Sequence, residues 1–406
     1  MHARFAGLVV ATALALPGTA AAQGDSPSEW GGGAGGHIAL ITQDQDDGIA
    51  RLQVIGPDGA RSASEPVTSG SAHPIVTVGP RGDVVVLWYD GDRQLWVRYR
   101  TAAGVLGAPE LAATGVEWSE AGVQVALDAA GTATVVSLTP TSNLDADVRV
   151  RTRTESGVWS EPQTLPGGEN VYAPALAVTP NGSAVLAWRQ LSRRRNATEI
   201  VGSTRAPGAA TFAPVSRLVG ARHDPGEPSV AANDRGDAVV GWTESTKDST
   251  FSVHARFRSP GKGFGPATKL NRTRDMAGPY VTALPNGRMV LGWTDHMRRR
   301  AEGRVRLASG KLGPVRKFTE DLEQNSELFP LAVGRGAIAW ADRDPGVGTL
   351  RIARTTASGR ILKGETITRV RGWTPGPAFA VGPQGAVAVA VIPRLPTDPF
   401  RWVRVP

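Results

Sequence analysis

Cysteine is absent from all 406 residues. That excludes disulfides, thiolate metal sites, Cys nucleophiles and lipid attachment through a Cys. Histidine occurs six times and nowhere at ligand spacing, so His73 stands alone rather than in a metal motif. Asp44–Gly48 (DQDDG) has the acidity of a calcium loop but lacks its alternation and its distal Glu. No metal and no cofactor is expected. Only four Tyr are present, Tyr89, Tyr99, Tyr172 and Tyr280, which limits any chemistry that needs a phenol. Apolar runs are short. A spanning helix needs about 20 residues, and no segment reaches that length.

What is present at the N-terminus reads as an address. Arg4 precedes an apolar run from Phe5 to Leu16, a Pro17-Gly18 break and Ala20-Ala21-Ala22. A charged start, a short apolar stretch and small residues before a cleavage point make residues 1–22 a signal peptide, cut after Ala22. The chain is therefore expected to be exported, secreted or held at the cell envelope, with no transmembrane segment in its mature form. Lacking disulfides, it must be held by its core alone, and a chain of this size can bury one.

Glycine (49) and proline (30) are frequent but interleaved evenly with short apolar runs, which is the habit of a folded β protein rather than of disorder. The formal charge of +8 comes largely from Arg. Outside a cell it favours anionic glycans or envelope polymers, and a merely soluble surface accounts for it as well. Nucleic acid fits poorly, because no basic strand interleaved with stacking aromatics is present.

One frame recurs along the chain. Pro228–Trp242 (PSVAANDRGDAVVGW) opens on Pro, carries Gly eight positions on and closes on Trp six positions later; Pro74–Gly82–Trp88, Pro174–Gly182–Trp188 and Pro279–Gly287–Trp293 repeat it. Glycine marks at 36, 82, 131, 182, 236, 287, 334 and 385 lie 46 to 54 residues apart, a period typical of stacked or radial repeats. Each unit reads as four short antiparallel strands. In the unit of Gly236 these are Pro228–Asn233, the apolar run Ala238–Trp242, the alternating Phe251–Arg258 and Phe264–Leu270, with a tight Asp-Arg-Gly turn after the first and a polar loop, Thr243–Thr250, after the second. Four strands per ~50 residues is a propeller blade. A solenoid coil is usually shorter, and a sandwich does not repeat one frame eight times.

The expected fold is an all-β propeller of seven or eight four-stranded blades in a single domain, residues 37–406, after a strandless Gly-rich linker, 23–36. The residue before each Trp is mostly small (Leu87, Ala187, Gly241, Gly292 and Ala339), so a Trp face of one blade can nest against a small face of the next. Departures are informative. The unit of Gly131 has Val123 for Pro and Ser137 for Trp, the unit of Gly334 has a shortened first turn, the first unit lacks a first strand and the last, from Pro377, lacks a fourth.

Candidate ligand residues lie just beyond the frame. Asp44, Asp90, Glu244, Asp295 and Asp342 stand two positions past the Trp position, as a broken acidic ring for a cation or sugar hydroxyls, or as acceptors for their own strand ends. The same loops carry Arg193-Arg194-Arg195 and Arg298-Arg299-Arg300, which suit carboxylate or phosphate, or else are solvated loop tips. His73, Glu227 and Phe329 precede the opening position of their units, and Tyr172 and Tyr280 lie close by, so these residues line the expected channel mouth.

Two stretches carry family likeness. Thr154–Pro162 (TESGVWSEP) resembles a shortened Asp-box turn of sialidase-like propellers, with Ser156 where the Asp belongs, and Pro174–Gly182 (PALAVTPNG) is similar to the repeat of TolB-type and WD40-like propellers. Both motifs are structural, so the resemblance implies a fold and transfers no activity. A sialidase-like site would imply a Tyr nucleophile with a Glu partner and an Arg clamp. Tyr172, Tyr280 and Glu227 supply the first two types, and no motif marks the clamp. The functional expectation is a monomeric binding or interaction module for an anionic glycan, an envelope polymer or a protein partner. The alternatives are a sialidase-like glycoside hydrolase and a TolB-like partner-binding propeller.

Overall fold

The computed structural model describes residues 30–32, 35–43, 48–71, 74–90, 92–116, 122–192, 197–220, 224–245, 250–273, 278–295, 297–319, 328–331, 335–344, 347–371, 378–381, 387–391 and 401–405. Among them there is no α-helix, hence none long and apolar enough to cross a membrane. The expected signal peptide, Asp44, His73 and Arg193–Arg195 lie outside the described residues.

The unit of Gly236 shows how the sequence makes a sheet. Its strands are Ser229–Ala232, Ala238–Ser245, Phe251–Arg258 and Thr268–Thr273, all antiparallel and in sequence order. Gly236 closes the first hairpin at φ +89°, a left-handed conformation that costs a side-chain-bearing residue steric energy. The second strand runs past its Trp through the polar residues expected to form a loop, because Glu244 and Ser245 pair with Ser252 and Phe251. The outer strand starts later than its apolar pattern suggests; Phe264 makes only an isolated bridge to Arg258.

Five sheets have this four-stranded meander. A seven-stranded sheet joins the third and fourth repeat units, because one strand, Gln163–Val178, serves both: its first part pairs with Asp145–Arg153 and its last part with Ala184–Ser192. The final sheet has three strands, Ala378–Val381, Val387–Val391 and Arg401–Val405. The first unit corrects the sequence reading. Trp30–Gly32, inside the stretch read as a strandless linker, pairs with Ile38–Leu40 and gives that unit its first strand. Glycines hide side-chain alternation, but a ladder needs only backbone groups.

The inner strands of the first seven units touch one another in chain order, and the first, Trp30–Gly32, lies against both Ile75–Val78 and the last, Ala378–Val381. The core is divided among the junctions between units. Trp242 shares a cluster with Val185, Ala187, Ile200 and Leu218 of the preceding unit, and Trp293 with Ala231, Val239, Val253 and Ala255 of the unit before it. Trp188, Trp242, Trp293 and Trp340 are all fully buried. Gly241 is where the next unit comes nearest: a Cβ there would lie 2.8 Å from Pro279 Cγ and 3.1 Å from Val281 Cγ1. Period-2 alternation thus gives every second strand one face that fills a junction and one that accepts the neighbour.

Candidate functional site

The residues two positions beyond the Trp do a local job first. Glu244, buried, accepts the Trp242 indole N–H at 2.8 Å, and Gln190 accepts that of Trp188 at 3.0 Å. Side chains at i and i+2 of a strand share a face, which brings donor and acceptor together. Asp90 is exposed and accepts the indole N–H of Trp96 at 2.6 Å. Asp295 is fully buried and accepts the Arg298 backbone N–H at 3.1 Å, while Trp293 turns its N–H to Glu302 at 3.2 Å. Asp342 stands in the strand Ala337–Asp344, opposite Thr349.

The Arg298–Arg300 run is partly neutralised by these same acids. Arg298 lies 3.3 Å from Asp295, and Arg300 lies 2.6 Å from Glu302 and 4.0 Å from Asp295. Arg299 is exposed at the turn, with φ +46°.

Much of the remaining arginine works between units, in a pattern the sequence displays as Arg-x-Arg near the end of third strands (Arg98/Arg100, Arg151/Arg153, Arg304/Arg306). The first of each pair reaches a backbone carbonyl on the outer strand of the preceding unit: Arg98 to Pro66 at 2.6 Å, Arg151 to Ala112 at 2.9 Å, Arg304 to Leu270 at 3.3 Å. The second meets an acid or a ring there. Arg100 lies 3.1 Å from Glu65, Arg153 pairs with Glu110 and sits 4.7 Å above the Tyr99 ring, and Arg306 sits 5.0 Å above Phe257. The turn that resembles an Asp box joins in, since Trp159 donates its indole N–H to Glu110 at 2.7 Å. Arg153 and Trp159 together hold the Glu110 carboxyl below its ordinary value, against the effect of burial. This arginine feeds edge-strand carbonyls and acids, so a large part of the positive charge is structural.

One further set of side chains gathers at a junction, at the entry to two inner strands. Tyr172 pairs in register with Arg189, just before the inner strand of the fourth unit. Glu227 immediately precedes the inner strand of the fifth. Arg189 crosses the junction, donating through Nε to the Pro225 carbonyl at 2.9 Å and to Asp224 at 3.2 Å. Pro225 bridges to Glu244, and the Gly226 N–H bonds the Thr243 carbonyl at 2.8 Å. The backbone here is held in uncommon geometry: Asn170, Ala173 and Asp224 all have positive φ, a feature that collects at ligand sites. Desolvation pushes the Glu227 carboxyl above its usual range, with Arg189 opposing. Desolvation, and then the Glu227 charge, push the Tyr172 phenol up, again against Arg189. These three groups therefore feel one another. Tyr280 is elsewhere, with its ring packed on the cluster of Leu328, Ile338 and Trp340.

Sequence reasoning selected Tyr172 and Glu227 and missed Arg189, whose only signal was its place one residue after Trp188. Among the described residues no group of three or more His, Asp or Glu is placed to hold a metal ion.

Meander sheets joined through their inner strands define an all-β, propeller-like protein. Solved structures share that fold. Puromycin hydrolase (S511A mutant complexed with PGG) matches with a TM-score of 0.50 and 17% identity, over 91% of this chain and 58% of that one, so the chain spans little more than half of its length. A polysaccharide lyase of family PL25, an ulvan lyase bound to -[GlcA(1-4)Rha3S]-, matches with a TM-score of 0.50 and 10% identity, over 80% of this chain and 90% of that one. An α-L-arabinanase of Penicillium chrysogenum, at 13% identity over 74% of this chain and 93% of that one with a TM-score of 0.43, is too remote to carry any argument. No family model matches the chain, and no curated protein matches it in sequence. At these identities the likeness speaks to fold alone.

Proposed function

We propose that the protein is an exported, monomeric, eight-bladed β-propeller that binds an acidic glycan at the Tyr172–Arg189–Glu227 cluster. The eight repeat units and the contact of the first inner strand with the last support a closed ring in one domain. The observation that carries the binding site is the meeting of an exposed phenol ring, a guanidinium and a carboxyl at the entry to two adjacent inner strands. Tyr172 is 40% exposed and offers a flat surface to a sugar ring. Arg189 carries five N–H donors in a planar fork, more than its bonds to Pro225 and Asp224 use, and suits the carboxylate or sulfate of an acidic sugar. Glu227 accepts sugar hydroxyls. The ulvan lyase of similar fold is bound to a uronate- and sulfate-bearing saccharide, a ligand of the same chemical class.

A glycoside hydrolase is the second reading, favoured by the charge of Glu227 acting on the Tyr172 phenol. Arg189 opposite Tyr172 suits holding an acidic group, which binding alone requires, so binding is the better account. Wild type, Tyr172→Ala and Arg189→Ala should be compared on an array of uronate-bearing and sulfated glycans, beside a fluorogenic glycosidase panel. Retention of acidic glycans by wild type, lost in both variants and weakened by salt, is the expected result. Equal retention by all three would sink the site. Turnover abolished by Glu227→Gln would replace binding by hydrolysis.

A further inference from the structure

The third repeat unit departs from the frame at its opening Pro and at its Trp position, and a cavity lies at the second of these. In the fourth to seventh units Trp188, Trp242, Trp293 and Trp340 fill the junction with the preceding unit. The third unit has Ser137 instead. Between its strands and the outer strand of the second unit, Glu110–Thr114, is a cavity of about 150 Å³. Leu111, Ala112, Ala113 and Val135 give it an apolar wall, with Ser137 and Arg149 among the polar lining. The cavity is partly open to solvent, with Leu111 exposed at its edge, and its volume matches that of an apolar void able to hold a benzene-sized guest.

The unit of Gly236 shows what can stand there. Trp242 pairs across the ladder with His254, and the two rings stack at 5.7 Å between centroids, 20° from parallel. At the equivalent positions Ser137 pairs with Arg149, so the guanidinium faces a place without an aromatic ring. Its Nε is buried and has no hydrogen-bond partner among the described residues. Two residues past the Trp position, Gln190 and Glu244 accept an indole N–H. The third unit has Thr139 at that point, on the same strand face as Ser137. Thr139 is 9% exposed, and its hydroxyl is buried and unpartnered among the described residues. Two features of a Trp site therefore remain at the cavity without the Trp, the space and the partner across the ladder, while Thr139 lies two residues further along the same strand face, beyond the cavity lining.

We propose that this cavity binds a small planar aromatic molecule carrying an N–H or O–H donor, of indole size, seated where the repeat otherwise places its own Trp. The ring would lie against Leu111 and Val135, the Arg149 guanidinium would meet its face, and its donor would reach the Thr139 hydroxyl. The site is separate from the Tyr172–Arg189–Glu227 cluster and does not depend on the function proposed for it.

The test uses the full mature chain with 5-fluoroindole followed by ¹⁹F NMR, beside thermal melting with unlabelled indole. Saturable binding at millimolar or lower probe is expected, at least tenfold weaker in Ser137→Trp, which supplies the missing ring, and in Ala113→Leu, which fills the cavity from its other wall. 1-Methylindole should bind wild type several-fold more weakly than indole does, and Thr139→Val should remove that difference. Absence of saturable binding to folded wild type would overturn the proposal. So would undiminished binding in both filled variants, or cyclohexylmethanol binding as tightly as indole.

Discussion

Glu244 accepts the indole N–H of Trp242 at 2.8 Å, and both side chains are buried. This pair turns a conserved-length frame into a physical device, since the ring fills the junction between two units and the carboxylate satisfies its one polar atom. A buried donor left without an acceptor costs about 1–3 kcal/mol, so the acid completes what the Trp begins.

Glu244→Ala should therefore lower stability by about 1–3 kcal/mol, whereas Glu244→Gln, which imitates Gln190 in the fourth unit, should lose much less. Urea denaturation of the two variants checks this. Equal loss in both would mean that the amide and carboxylate do not share the role.

Trp242→Ala opens a cavity in a junction and should cost about 3–5 kcal/mol. Calorimetry is the direct measurement, and an unchanged melting temperature would refute the nesting of units.

Gly241→Val addresses the same junction from its small face. A Cβ already falls 2.8 Å from Pro279 Cγ, so the larger side chain should destabilise by about 1–3 kcal/mol through overpacking. A neutral effect on the denaturation midpoint would show that the inner strand of the sixth unit can move aside.

Glu110 links the second and third units through Arg153 and Trp159, and its carboxyl is held below the usual value. A depressed folded-state value contributes stability above the unfolded value, near 4.5, and loses it as pH falls through the folded one. Wild type should thus be more stable than Glu110→Gln at pH 7, with the gap closing below about pH 4. A gap independent of pH would assign the effect to packing.

Glu227 has the opposite sign. Its raised value means that the folded state favours the protonated acid, so stability falls as pH rises through the unfolded value toward the folded one. Glu227→Gln should melt higher than wild type at pH 7 and the same at pH 4. A variant less stable at pH 7 would show that the carboxylate is held by contacts stronger than its desolvation.

The residues expected to act as a ligand ring divide on structural grounds. Glu244 and Asp90 accept indole N–H groups and Asp295 accepts a loop N–H, while Arg298 and Arg300 lie against Asp295 and Glu302. Position in a repeat reveals that a residue type recurs, but not which donor it faces. Arg189 shows the converse. Nothing repeats it, and it enters the candidate site only because Tyr172 stands opposite it and Pro225 of the next unit comes within reach.

The sequence by itself determined the strands, their meander order and the packing of units. Those features rest on short-range rules: alternation along a strand, a left-handed Gly in a turn, a Trp beside a small residue. It also marked the place where the rule fails, at Ser137. Only the tertiary structure decided that Trp30–Gly32 completes the first unit, that paired arginines fasten three of the outer strands to the next unit, and that Tyr172 feels both Glu227 and Arg189. Those outcomes join residues of different units, and their distances follow from how sheets are set side by side rather than from spacing along the chain.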